Sequence, residues 1–343
     1  MKGKHVTIIG GGPAGMQAAS QLSELGIEVL LIEKDNKLGG KLNQWDRLFP
    51  DQTPSMTLLK ELQNAIDKSK VTIRLNTEVQ KISNLTHGFD ILLNAEETQH
   101  SDAVLLTTGF ELFDARLKEE YGYGTYPNVI TSSDLEKLFR EGQPLTTAEG
   151  RTPSKIAFLH CVGSRDEKVG QFHCSRVCCI TGVKQAIEVK QALPECEVYN
   201  FYMDMRMFGA GYEELYREAQ EKWGITFIRG RISEAALNQE NRIQIKAEDT
   251  LAGRPVRLSV DLLVLLVGMT ASPCNKALAA TSGAELRSNG FFNPVDPFNH
   301  SVESAIPGLY FAGTCTAPRN IGETLMEAGS AALKIHKFLL QND

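Results

Sequence analysis

Val6-Thr7-Ile8-Ile9-Gly10-Gly11-Gly12-Pro13-Ala14-Gly15 is a β-rich run that breaks into a glycine turn. Met16, Ala18, Ala19, Leu22 and Leu25 then recur at helical spacing until Gly26. A strand turning on glycines directly into a helix is the opening of a dinucleotide-binding βαβ unit. Gly10 permits the tight turn, Gly12 lets a pyrophosphate approach the backbone, and Gly15 lets the helix lie close on the strand. With Pro13 and Ala14 the turn aims the free N–H groups of a helix N-terminus at phosphates. A second strand, Glu28 to Ile32, ends at Glu33. That carboxylate stands about twenty residues beyond the glycines, where it can hold ribose hydroxyls.

Later glycine turns narrow the choice of dinucleotide. Glu33-Lys34 runs into Leu38-Gly39-Gly40-Lys41; Ala103 to Leu106 is a buried strand delivering Thr107-Thr108-Gly109; Gly308 to Ala312 is another, ending in Gly313-Thr314 before a long helix from about Gly322. Their order and spacing resemble the FAD domain of thioredoxin-reductase-type flavoproteins. In that group the last strand ends Gly-Asp, the Asp binding the ribityl chain; here Thr314 replaces it. The expected FAD contacts are Gly10, Gly12, Pro13, Ala14, Gly15, Glu33, Lys34, Gly40, Lys41, Val79, Thr108, Gly109, Gly313, Thr314, Glu323, Thr324 and Leu325.

The expected architecture is α/β, with two dinucleotide-binding-type domains and the FAD domain split by the other. Residues 1–110 and 268–343 form the FAD domain, and 111–153 connect it to an inserted NAD-type domain, 154–267. That insert reads as strand Lys155 to Leu159, helix Arg176 to Leu193, strand Glu197 to Met203, helix Tyr212 to Trp223 and strand Ile225 to Ile228. Its first turn, Leu159-His160-Cys161-Val162-Gly163-Ser164, has lost most of the glycines of a nucleotide fingerprint.

The 343 residues are 42% hydrophobic and 23% charged, with 36 Lys plus Arg against 42 Asp plus Glu and a formal charge of −6. This acidity argues against a nucleic-acid partner. The longest apolar run, Leu262 to Val267, is far short of the roughly 20 residues of a membrane span. The first strand begins with no cleavable leader before it, so a cytoplasmic location is expected.

Four of the seven cysteines, Cys161, Cys174, Cys178 and Cys179, crowd together. If a helix begins near Cys174, then Cys174 and Cys178 share a face one turn apart, and Cys161 arrives from a strand end. A helix start favours thiolates, and Arg176 and Lys184 could offset their charge. Four cysteines suit an iron–sulfur cluster or a structural zinc, although CxxC knuckles are missing; buried inert or redox thiols are the third reading. His160 and His173 flank the group as secondary ligand candidates. No cysteine precedes Cys161, which removes the CxxxxC disulfide of glutathione-reductase-like enzymes.

His160-Cys161-Val162-Gly163-Ser164-Arg165-Asp166 and Cys174-Ser175-Arg176-Val177-Cys178-Cys179 resemble the A-type subunit family of heterodisulfide reductase. Asp204-Met205-Arg206, Gly209 to Glu214, Phe227 to Arg231, Gly39-Gly40-Lys41 and Phe49-Pro50 extend the likeness over nearly the whole chain. The resemblance implies FAD, plus a [4Fe–4S] cluster on Cys161, Cys174, Cys178 and Cys179. It also implies that Lys184 reaches the flavin N5, where it would act catalytically by stabilising reduced flavin. The ferredoxin-type CxxCxxC modules of the methanogen form are missing. The short form is similar to the A-type subunit of the heterodisulfide-reductase-like complex of sulfur-oxidising prokaryotes. The resemblance then implies a homodimer, B- and C-type partner subunits, and electrons passing from sulfur compounds to an acceptor such as NAD. A free-standing NAD(P)H-dependent flavin reductase and a non-catalytic redox-sensing protein are the alternatives.

Overall fold

A computed structural model describes residues 3–94 and 97–342. The chain forms two compact units, one of Met1–Asn43, Met56–Glu111 and Thr270–Asp343, the other of Gln44–Ser55 and Leu112–Met269.

The first unit opens with β1 (His5–Ile9), α1 (Pro13–Glu24) and β2 (Glu28–Ile32), followed by α2 (Ser55–Asp67) and β3 (Thr72–Arg74). An antiparallel sheet of β4 (Val79–Asn84), β5 (Phe89–Leu93) and β6 (Glu97–Ser101) precedes β7 (Ala103–Leu106). The main sheet is parallel, in the order Leu309–Phe311, β7, β1, β2, β3. Apolar runs such as Val104-Leu105-Leu106 suit it because both faces of such a sheet are covered. Register pairs Ile9 with both Ile32 and Leu106, and Leu106 with Phe311. Four strands therefore end level and deliver Gly10, Glu33, Thr107 and, one residue on, Gly313 to a single edge. Ligands bind at this carboxyl edge of open α/β sheets.

The second unit carries β8 (Val129–Thr131), α3 (Ser132–Arg140), β9 (Lys155–Val162), α4 (Cys178–Ala192), β10 (Glu197–Tyr202), α5 (Tyr212–Glu221) and β11 (Thr226–Arg229). An antiparallel sheet of β12 (Ile232–Leu237), β13 (Ile243–Asp249) and β14 (Arg254–Val260) follows, then β15 (Leu262–Val267). The parallel sheet runs β11-β10-β9-β15-β8. Its core packs Ile180, Val183 and Ile187 of α4 on Ile156, Phe158 and Val264.

Two observations differ from the sequence reading. Segment 44–55, expected in the FAD domain, packs in the second unit. Asp46 N–H donates to Glu136 Oε2 at 2.9 Å, Arg140 donates to the Trp45 carbonyl at 2.8 Å, and Phe49 meets Tyr212 edge-on at 5.7 Å. The expected connection 111–153 holds a strand and a helix. A Thr131–Asp134 capping box starts that helix.

Candidate functional site

The first turn of β1–α1 is shaped by what a side chain would strike. A Cβ on Gly10 would lie 2.4 Å from the Thr107 carbonyl, and Gly10 has φ +112°. A Cβ on Gly15 would fall 2.0 Å from the Gly10 carbonyl, so only hydrogen lets α1 seat on the turn. Gly12 differs: nothing lies within 4 Å of its would-be Cβ. It caps α1 without a side-chain bond and Pro13 follows, leaving the amides of the first turn facing open space. That is the chemistry of a phosphate cradle.

Glu33 is buried beside it. Its Oε2 accepts from Gly11 N–H at 2.7 Å and its Oε1 from Asp35 N–H at 2.9 Å, which fixes the carboxylate while each oxygen keeps a further lone pair. Lys34 is exposed. Gly39 N–H donates to the Gly11 carbonyl at 2.8 Å, and Gly40 lies over Gly12, 3.3 Å from Cβ position to Cα. Lys41 pairs with Glu111 at 2.9 Å. Val79, half-buried, opens β4 opposite Leu93.

The late segment closes on the same turn. A Cβ on Gly313 would meet Ala14 Cβ and Thr324 Cγ2, each at 3.1 Å, so α1 and the C-terminal helix Ile321–Gln341 converge there. Thr108 Oγ1 donates to Asn275 Oδ1 at 2.7 Å, and Gly109 stands 3.9 Å from Thr314 Oγ1 by its Cβ position. Glu323 is spent in a capping box with Asn320; Thr324 is buried and Leu325 half-buried. Sequence reasoning missed Glu327, whose Oε2 accepts Gly313 N–H at 3.0 Å and which Arg319 pairs at 2.5 Å. Burial raises the Glu327 carboxyl while Arg319 opposes the shift. No motif signals such a pair, because its members lie eight residues apart across a loop and a helix. These residues fit the ADP half of FAD: open amides, a fixed carboxylate and glycines at each close approach.

In the second unit the strand end is bent. β9 pairs with β15 as Leu159↔Leu265 and then Val162↔Val267, so β9 holds one extra residue, a bulge. Cys161 in it has φ +61°. Arg165 and Arg176, at +55° and +62°, are also left-handed, a conformation costing non-glycine residues about 1 kcal/mol or more each. α4 begins at Cys178, not near Cys174 as the spacing predicts, because Arg176 leaves helical backbone. Cys174 thus sits in the preceding turn, and its sulfur accepts from Arg176 N–H at 3.3 Å. Cys178 and Cys179 occupy the first helical positions, after a Val177 cap with no side-chain bond.

The four thiols share one electrostatic environment. Burial pushes Cys161 up to about 12, with Cys179 and Cys174 adding and Arg165 and Arg206 opposing. Cys178 is raised well above its ordinary value by burial first, then by Cys161, Cys179 and Cys174. Burial raises Cys179 too, against the Arg206 amide. Among the described residues no three His, Cys, Asp or Glu side chains are spaced for a single metal ion. A tetrahedral zinc, with Zn–S near 2.3 Å, would need sulfurs roughly 3.8 Å apart. An iron–sulfur cluster binds each thiolate through a different iron, and Arg165 and Arg206 would supply counter-charge to one held here. Cys196 and Cys315 are buried core thiols.

His160 and His173 have structural partners. His160 Nε2 lies 2.9 Å from Asn200 Oδ1, and burial lowers it to about 4; His173 Nε2 lies 2.9 Å from the Met269 carbonyl. Lys184 lies in the interior of the second unit. Its ammonium is buried within the second unit, 2.5 Å from Glu136 Oε1, 3.1 Å from Glu188 Oε2 and 3.1 Å from the Arg47 carbonyl. Two hydrogen bonds, to Glu136 Oε1 and the Arg47 carbonyl, and the ion pair with Glu188 hold it there.

Residues 4–128 match the family described as pyridine nucleotide-disulphide oxidoreductase. The chain is 30% identical to the iron-sulfur A-type subunit of CoB–CoM heterodisulfide reductase from Methanocaldococcus jannaschii, across 96% of this chain and 63% of that protein. It is 31% identical to the first of two such iron-sulfur subunits from Methanopyrus kandleri, across 95% and 63%. The chain thus spans under two thirds of the length of these relatives. The M. jannaschii alignment runs over 415 residues, more than the 343 of this chain, so the relative carries extra residues inside the matched region. Among solved structures, thioredoxin reductase of T. acidophilum covers 98% of both chains with TM-score 0.68 at 20% identity. Over almost its whole length the chain is similar to the A-type subunits of heterodisulfide reductase, and its fold is the thioredoxin-reductase-like, two-unit α/β fold.

Proposed function

We propose that this chain is an FAD- and [4Fe–4S]-bearing electron-transfer subunit of a cytoplasmic heterodisulfide-reductase-like complex. It takes electrons released from sulfur compounds on B- and C-type partner subunits and hands them to an acceptor such as NAD, as a homodimer within that complex. The similarity to heterodisulfide reductase A-type subunits and to the pyridine nucleotide-disulphide oxidoreductase family supports an electron-transfer role. When bound, the two groups supply the electron chemistry. The chain supplies the Gly10–Gly15 turn and Glu33 for the ADP half of the flavin, and four thiolates for the cluster.

The observation that carries the reading is the four-thiol group at the bulged end of β9 and the start of α4. This is where a nucleotide fingerprint would stand in an NAD-type domain. Here Cys178 and Cys179 hold the first helical positions, and a Cβ on Gly163 would strike the Phe113 ring at 1.9 Å. A free-standing NAD(P)H reductase needs a pyrophosphate cradle that this turn does not offer. Anaerobically reconstituted protein should be brown, with iron, acid-labile sulfide and FAD on each chain and an EPR signal on reduction. A yellow, iron-free product would defeat the reading.

A further inference from the structure

The backbone between Cys161 and Cys174 folds back on itself. Asp166 and Gln171 exchange backbone hydrogen bonds at 2.7 and 3.0 Å, and Arg165 N–H donates to the His173 carbonyl at 2.9 Å. Local preference opposes this shape, since Cys161 and Arg165 at its start and Arg176 just beyond it are left-handed. Such conformations persist only where the surroundings over-determine them.

Asp166 is where the surroundings reach in. Its carboxylate is 2% exposed and receives Lys118 Nζ at 2.8 Å, a guanidinium nitrogen of Arg231 and, at 3.1 Å, the Lys168 amide. Lys118, itself 2% exposed, comes from the segment before β8, and Arg231 from the turn after β11. Lys118 is held in turn by Glu120 at 2.7 Å. Lys118 and Asp166 are buried while Arg231 reaches in from a more exposed position, and charge-assisted bonds of this kind are short and directional, so they fix one position of the hairpin.

We infer that Asp166, clamped by Lys118 and Arg231, is a positioning residue that holds the Cys161–Cys174 hairpin in the shape that accepts the cluster. The inference rests on the cluster reading above, and the residues around metal-centre ligands are known to govern retention in this way.

Asp166→Asn, Arg231→Gln and Arg231→Lys are compared with wild type in the full chain, after anaerobic reconstitution with iron and sulfide. In Asp166→Asn and Arg231→Gln, retention of iron against a chelator should fall about 10-fold or more, with flavin per chain unchanged. In the apoprotein, Cys174 should react faster with iodoacetamide while Cys196, deep in the same unit, keeps its rate. Arg231→Lys should restore both. Folded Asp166→Asn and Arg231→Gln with wild-type iron retention and wild-type Cys174 labelling overturn the inference. Should wild type itself take up no iron, the cluster reading fails; the labelling contrast still decides whether Asp166 holds the hairpin.

Discussion

Gly12 and Gly15 are two glycines of one motif with different tasks. Gly15 cannot carry a Cβ without meeting the Gly10 carbonyl, whereas Gly12 faces open space with φ −72°, available to any residue. Gly12→Ala should therefore leave the apoprotein melting temperature within about 4 °C while flavin content falls. Gly15→Ala should lose fold and flavin together. Full flavin in Gly12→Ala would remove the phosphate role from this turn. The sequence shows the two as equivalent letters, and only the contact geometry separates them. Glu188 is a second residue-scale case. Burial raises its carboxyl from 4.5 to about 7, Lys184 opposing and Glu136 and Asp46 reinforcing the shift. The folded state thus binds the proton more tightly than the unfolded state. Its contribution to stability is fully present below about pH 4.5 and is lost as pH rises through about 7, on the order of 3 kcal/mol. Urea midpoints at pH 5 and 8 should diverge in wild type and draw together in Glu188→Gln; an unchanged divergence would show that other groups titrate.

At the scale of elements, α4 must lie close on β9 for the cysteines to meet. Gly182 allows this: its Cβ would come 2.6 Å from Leu266 Cδ1 and 2.8 Å from His160 Nε2. Gly182→Ala should cost about 1–3 kcal/mol by overpacking, read from denaturant unfolding of the apoprotein. A neutral result would mean that the helix can shift outward without strain. The fold was legible where periodicity and glycine spacing are strong, as in β1–α1–β2 and in α4 beyond its first turn. The helix start was not, because a left-handed Arg176 has no signature in residue type. Strand β13 carries the period-2 signal of a half-buried strand in Ile243-Gln244-Ile245-Lys246, which the reading of the insert as βαβ units alone left out. Helix α3 had a Thr131-Ser132-Ser133-Asp134 signal that went unread inside a presumed connection. Of the candidate site, the cysteines were visible as letters; the bulge that aims Cys161 and the acceptors that enclose Lys184 come from distant strands and helices.

For the whole molecule, the glycine-rich cradle belongs to the first unit, and in the corresponding turn of the second a Cβ on Gly163 would strike the Phe113 ring. NADH added to the FAD-loaded chain with no partner should bleach the flavin slowly and without saturation, in stopped-flow absorbance. Rapid, saturating bleaching would bring back the free-standing reductase. Segment 44–55 has a practical consequence for dissection. A fragment cut as residues 112–269 would look complete by chain order, yet it would leave behind the Asp46 amide, the carbonyls of Trp45 and Arg47, and the Phe49 ring. Glu136, Arg140 and Lys184 would each lose a neighbour at once, leaving an ammonium short of an acceptor in a dry interior. The half that carries the cysteines is therefore not excisable as one uninterrupted piece; a faithful miniature has to splice the borrowed dozen residues back on.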